Sequence, residues 1–254
     1  SAASDVYKRQ VYRVGDGKTW SEIDTFKTSR PQGDVNMFLV GDTQAADTGV
    51  MESINQSLKA DGREYSLGIQ TGDLIENAGL YEDWMGGLNL FQAMNDIDML
   101  HVIGNHELFG DSYGDLSEKL FALSNKKYYS VEYGNVYVAT ISYTDNKAEY
   151  DEAFKWLEED AKKTDCQWKI LAMHQPEYYT NPDGGNGYVH DNLPASAEKA
   201  GIDFVSASVS AISLLPRITP TLYTFAFTPS RISAIVSPTF ITASRLGTAN
   251  FVRF

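Results

Sequence analysis

The chain has 254 residues, 43% of them hydrophobic and 22% charged, enough to bury one sizeable α/β core. Its formal net charge of −13 repels polyanions and argues against nucleic-acid binding through a broad basic face. No apolar run reaches the roughly eighteen residues of a membrane-spanning helix, and the single cysteine, Cys166, excludes an internal disulfide or a cysteine-rich zinc module.

The opening "SAASDVYKRQ" ends in six residues that match one reading frame of a transposon-type sequencing adapter, so residues 1–10 are set apart as a scar. "VYRVGDGKTWSEIDTFKT" (11–28) predicts two strands around a glycine turn, followed by a polar linker. "VNMFLV" (35–40) is a continuous apolar run ending in "GDTQ", as in a strand buried on both faces. Helix is predicted over 49–60, and a second buried strand over 66–71 ends in "GD". A helix follows over 80–96, weakened by Gly86 and Gly87, and then a strand over 99–103 ends in "GNHE". Residues 128–143 read as a hairpin turning at Gly134-Asn135. Residues 148–164 read as a helix with Phe154, Leu157 and Ala161 on one face, acids early and lysines late. "WKILAM" (168–173) is a strand ending at His174, the Gly- and Asn-rich "NPDGGNGYVHDN" is a loop, a short helix covers 194–200, and "GIDFV" is one more core strand.

Composition breaks sharply at residue 206. The last 49 residues contain no Asp, Glu, Lys or His and only one glycine, Gly247, which leaves a formal balance of −17 in residues 1–205. This tail reads as a β-rich or disordered extension, or as translation out of frame.

Four strands in succession end in a residue able to bind metal: Asp42, Asp73, Asn105-His106 and His174. A Gly-Asp pair alone is an ordinary turn or helix cap. Four such ends in this order point instead to one crevice beyond the strand carboxyl ends, where two carboxylates, an amide oxygen and an imidazole suit hard or borderline cations.

The set "GDTQ", "GDLIENAG", "GNHE" and "MHQPEYY" resembles the calcineurin-like metallophosphoesterases, and Glu107 after the Asn-His pair brings it nearest the purple acid phosphatase branch. The resemblance covers roughly residues 11–205, including "LYEDW" and "YYSVEYGNVYVATIS" between the motifs. It implies an α/β fold, a four-layer αββα sandwich disrupted at its C-terminal end. In this reading residues 11–29 are a remnant of a fibronectin-like β domain, 30–205 an incomplete catalytic domain and 206–254 an out-of-frame or disordered tail.

The activity it implies is hydrolysis of phosphate monoesters by metal-bound hydroxide at a two-metal site, with a phosphodiesterase or nucleotidase as a variant. The cofactors implied are two divalent or mixed-valence ions (Fe, Zn or Mn), the partner is a small phosphorylated substrate, and the compartment is periplasmic, cell-surface or secreted. Asp73 would bridge the metals, Asp42 would bind the first, Asn105 and His174 the second, and His106 would sit over the substrate phosphate.

Three departures from the family pattern stand out. Gln44 occupies a position where many members have histidine, so its amide oxygen either binds metal weakly or bonds to a neighbour. Glu76 stands where purple acid phosphatases have an iron-binding tyrosine, which argues against a purple iron site. After "GIDFV" the expected Gly-His-x-His element is replaced by "SASVSAIS", and no histidine follows His190. Loss of those ligands coincides with the composition break, which favours a frameshift or assembly error, and the chain as written is expected to be inactive or nearly so. The alternative is a non-catalytic fold relic that binds at most one metal. His190 is expected to face the cleft and touch substrate, His101 to be a satisfied core or edge histidine, and Cys166 to be plain packing.

Overall fold

Side chains alternate along the central strands, and that alternation sorts the core into three apolar layers. In the computed structural model, which describes residues 9–27, 35–44, 48–92, 97–110, 115–176, 187–207, 221–228 and 231–236, these layers separate two sheets and two helical shells. The first sheet contains β3 (Val35–Gly41), β4 (Leu67–Gln70) and β5 (Asp98–His101), all parallel. The second contains the hairpin β6 (Tyr128–Tyr133) and β7 (Val136–Ile141), then β8 (Trp168–Met173) and β9 (Phe204–Ala207) parallel to β7.

On β3, Val35, Met37 and Leu39 face the second sheet and meet Val136, Val138, Ile170 and Ala172. Phe38 and Val40 point the other way, to Ile54 and Leu58 of α1 (Thr48–Asp61) and Trp84 of α2 (Tyr81–Gln92). On the far side, Tyr137, Ala139, Ile141, Leu171 and Met173 pack against α4 (Lys147–Asp160) and α5 (Gly187–Ala200). Each fully buried aliphatic or aromatic side chain in these layers contributes about 1.5–3 kcal/mol. The layer order is therefore the helix-sheet-sheet-helix sandwich expected, with the short helix α3 (Asp115–Leu120) beside it.

Ahead of the sandwich, β1 (Arg9–Tyr12) and β2 (Asp24–Lys27) pair antiparallel, with Arg9 opposite Lys27. The hairpin thus starts within the segment set apart as a scar. In the tail, β10 (Thr221–Thr228) pairs antiparallel with β3, and β11 (Arg231–Val236) pairs with β10. Residues 208–220, 229–230 and 237–254, including most of the segment that replaces Gly-His-x-His, lie outside the described residues. Among the described residues no helix is long and apolar enough to cross a membrane.

Two expectations need correction. Helix α5 begins at Gly187 instead of 194, so the second half of the expected Gly- and Asn-rich loop is helical and carries His190 exposed to solvent. Its face of Val189, Leu193, Ser196, Ala197 and Ala200 is buried, and that packing outweighs the helix-breaking tendency of Pro194. His101 is fully buried on β5, but neither ring nitrogen has a hydrogen-bond partner; its ring stacks on Phe121 at 4.0 Å between centroids. Burial pushes its pKa down to about 3, so it is a neutral core ring, not a satisfied one.

Candidate metal centre

Each of the four chemical loops leaves the carboxyl end of a parallel strand, and backbone bonds stitch them together. Asp42 N–H donates to Gly72 O at 3.1 Å, Gln44 N–H to Asp73 O at 2.9 Å and Thr43 Oγ1 to Leu74 O at 3.1 Å. To make these turns Asp42, Gln44 and Asp73 adopt positive φ of 50°, 37° and 53°. Such backbone strain in non-glycine residues concentrates where a site requires a fixed side-chain direction.

Two glycines allow the loops to meet. A Cβ on Gly72, itself at φ 96°, would lie 2.5 Å from His174 Nδ1. A Cβ on Gly104 would overlap the Asp73 carboxylate and come within 2.9 Å of Glu107 Oε2.

Glu107 is the scaffold of the centre. Fully buried, its carboxylate accepts from Asp73 N–H at 2.9 Å, Leu74 N–H at 2.7 Å and Gly104 N–H at 2.6 Å, tying the second and third loops together. Nothing local announces this role beyond a glutamate after Asn-His, because two of its partners lie 33 and 34 residues away.

Asp42, Asp73 and His174, all buried, bring one ligand atom each within 4.8 Å of one another. Asp42 Oδ1, Asp73 Oδ2 and Gln44 Oε1 are buried without a hydrogen-bond partner. Burial, then the neighbouring Asp73 and Glu107 charges, push the Asp42 carboxyl well above the usual range. Burial also raises Asp73 to about 6, against the pull of His106. His174 Nδ1–H donates to Thr71 O at 3.0 Å, which leaves the Nε2 lone pair facing Asn105 Oδ1 at 2.9 Å and Asp73 Oδ1 at 3.4 Å. Burial lowers the His174 pKa, so the ring is neutral and three acceptors confront one another. A cation among these atoms resolves that conflict, and the mixed oxygen and nitrogen donors fit a divalent transition metal.

His106 stands at the edge of the cluster. Its backbone N–H donates to Asp73 Oδ1 at 3.0 Å, its Nδ1 lies 2.8 Å from Glu76 O, and its Nε2 lies 3.1 Å from the Gln44 amide nitrogen. The ring also meets Phe109, with centroids 4.7 Å apart. Glu76 therefore flanks the histidine, with Oε2 3.7 Å from Nδ1. His190 is not part of the ligand group found among the described residues.

A family model for calcineurin-like phosphoesterases matches residues 4–207. The chain belongs to that family. No curated protein matches it. Among solved structures it is similar to a purple acid phosphatase from seeds of yellow lupin (Lupinus luteus), at 17% identity and a TM-score of 0.57 over 79% of this chain. It is also similar to GAP50 of Plasmodium, described as the anchor in the inner membrane complex, at 11% identity and a TM-score of 0.54 over 87% of this chain and 88% of that one. A third match is the structure of PhoD, at 12% identity and a TM-score of 0.54 over 79% of this chain and 56% of that one. The chain spans 42% of the lupin protein's length. At these identities the structural matches speak for the shared fold, and the family match places the chain among the calcineurin-like phosphoesterases.

Proposed function

We propose that this chain carries the active centre of a metal-dependent phosphomonoesterase, impaired in the form written here. The observation that supports it most directly is the convergence of Asp42, Asp73 and His174 with buried oxygens that no protein donor reaches. In this reading Asp73 would be shared between two cations, Asp42 and Gln44 would help hold one, and Asn105 and His174 would help hold the other. Bound divalent cations supply positive charge to the phosphoryl oxygens and lower the pKa of water.

The protein's own groups do the rest. Thr71 O fixes the His174 tautomer that exposes Nε2, and Glu107 holds the Asp73 and Gly104 backbones so that the acceptors stay converged. Glu76 O accepts from His106 Nδ1–H and the Gln44 amide donates to Nε2, which holds the ring at the edge of the cluster; once Nε2 exchanges the Gln44 bond for a proton, the ring would stabilise phosphoryl charge or pass that proton to the departing oxygen. Water supplies the oxygen that bonds to phosphorus, the P–O bond to the alcohol breaks, and the alcohol leaves protonated.

The missing Gly-His-x-His element removes one imidazole from each site, so metal retention falls to about one ion or fewer per chain. The test is metal content after gel filtration in Zn²⁺ or Mn²⁺, together with turnover of 4-nitrophenyl phosphate. About one metal or fewer and turnover abolished by Asp73→Asn are expected; two tightly held metals with turnover above 1 per second would overturn the impairment. A second reading, a fold retained without catalysis, is favoured by the lack of a Gly-His-x-His element after "GIDFV". Absence of any metal-dependent change in melting temperature would select it.

A further inference from the structure

A cavity of about 750 Å³ opens beside the metal centre, within the size range of ligand pockets. Its apolar wall is formed by Ile103, Leu108, Ile141, Ala153 and the Tyr143 ring. Ile103 and Leu108 bracket the loop that carries Asn105 and His106, while the ligand side chains themselves do not line the cavity. Tyr143 completes the connection: its N–H donates to Ile103 O at 2.8 Å and its ring meets His174 edge-on at 6.1 Å.

The polar rim is balanced, not basic. Lys126 pairs with Asp115 at 2.5 Å, and Lys127 lies 3.6 Å from Glu149 and 3.4 Å from Glu152. Asp145 accepts from the Tyr143 hydroxyl, and Lys147 lies over the Tyr188 ring at 5.6 Å. Counting these partners, three lysines face four carboxylates, so a second anionic group on a ligand would meet more repulsion than attraction.

We propose that this cavity is the leaving-group pocket and that it selects monoesters of bulky, uncharged, ring-bearing alcohols over small, inorganic or doubly anionic phosphates; the proposal rests on the phosphomonoesterase reading above. Apolar and aromatic walls give such a ring area to bury, while Ser142 places a hydroxyl-bearing side chain on the lining beside its polar edge.

The test is calorimetric binding to the Zn²⁺-loaded chain of inorganic phosphate, phenyl phosphate, 1-naphthyl phosphate and 4-carboxyphenyl phosphate. Naphthyl phosphate is expected to bind about tenfold more tightly than inorganic phosphate, and the carboxylate to weaken phenyl phosphate about fivefold. Ala153→Leu, which fills the cavity, should remove the naphthyl advantage and leave inorganic phosphate unchanged. Should that variant fail to fold, nuclear Overhauser contacts from naphthyl protons to the Ile103, Leu108 and Ile141 methyls of the unmodified chain replace it. Equal affinities, an advantage that survives in folded Ala153→Leu, or missing contacts overturn the proposal. Binding of 1-naphthol to the metal-free chain separates the two readings. Naphthol bound but inorganic phosphate refused by the metal-loaded chain sinks the phosphatase reading and the leaving-group role with it. Phosphate bound but naphthol refused sinks the pocket alone.

Discussion

The two halves of the sandwich treat two sets of carboxylates differently: Asp42 and Asp73, both buried, in one, and the half-buried Asp160 in the other. Beyond β3, β4 and β5, three acids crowd together, Asp42 Oδ1 and Asp73 Oδ2 lack donors, and three residues hold positive φ. In the half built on β6 to β9, Asp160 accepts from Ser130 Oγ at 2.6 Å, the Tyr137 hydroxyl at 2.9 Å and Lys163 Nζ at 3.1 Å. Burial pushes the Asp160 carboxyl up, but those bonds outweigh it and leave the pKa below the usual range. The same fold therefore can satisfy a carboxylate completely. Where several such oxygens lie side by side, a cation is the partner they fit, and the strain there belongs with the site and not with folding.

The largest way to break this contrast is Glu107→Ala. It strands the N–H groups of Asp73, Leu74 and Gly104 in a buried space, at a cost of about 3–5 kcal/mol in urea unfolding. Loss below 1 kcal/mol would mean that the loops hold themselves without it.

His101 sharpens the contrast, because it is an orphan in the strained half that belongs to no ligand group. Its folded pKa of about 3 lies below the value of roughly 6.5 in the unfolded chain. Between those values the unfolded state binds the proton and the folded state does not, so stability is full above pH ~6.5 and falls by about 1.4 kcal/mol per pH unit below it. At pH 5 this amounts to about 2 kcal/mol. Unfolding of His101→Phe at pH 7.5 and pH 5 should show that share of the acid loss gone; equal losses in both proteins would refute it.

The same substitution in the two halves should have opposite signs. Without metal, Asp73→Asn removes a crowded negative charge and gives Asp42 an amide donor, raising stability by about 1–2 kcal/mol while abolishing stabilisation by Zn²⁺. Asp160→Asn weakens three bonds and should cost about 1–2 kcal/mol. Melting temperatures with and without Zn²⁺ measure both, and matching signs would dissolve the distinction between the halves.

The layers were legible because each rests on short-range pattern: apolar runs for the strands, and Phe154 and Leu157 at helical spacing for α4. Asp42, Asp73, Asn105 and His174 could be singled out because each follows such a run. Glu107 was visible only as a residue after a motif, since its partners come from a loop more than thirty residues earlier. The start of α5 was hidden by Pro194 and the glycines before it, which argue locally against a helix that tertiary burial of Val189 and Leu193 sustains. The cavity was invisible for a related reason: its wall is assembled from residues between 103 and 153, and no local period encodes their proximity.

The smallest predicted effect lies in the satisfied half and tests whether that half rests on ordinary local bonds. Asn146 caps α4, its side chain accepting from Ala148 N–H at 3.0 Å while its backbone takes extended φ and ψ. Asn146→Ala should cost about 1 kcal/mol, the usual worth of an N-cap, because water reaches the freed N–H and limits the penalty. Tyr150, Phe154 and Leu157 keep the helix seated through apolar burial, so Zn²⁺ binding at the strand ends should be unchanged. A loss well above 2 kcal/mol, or any change in metal affinity, would show that the two halves are coupled through α4 and that strain in the first is balanced by capping in the second.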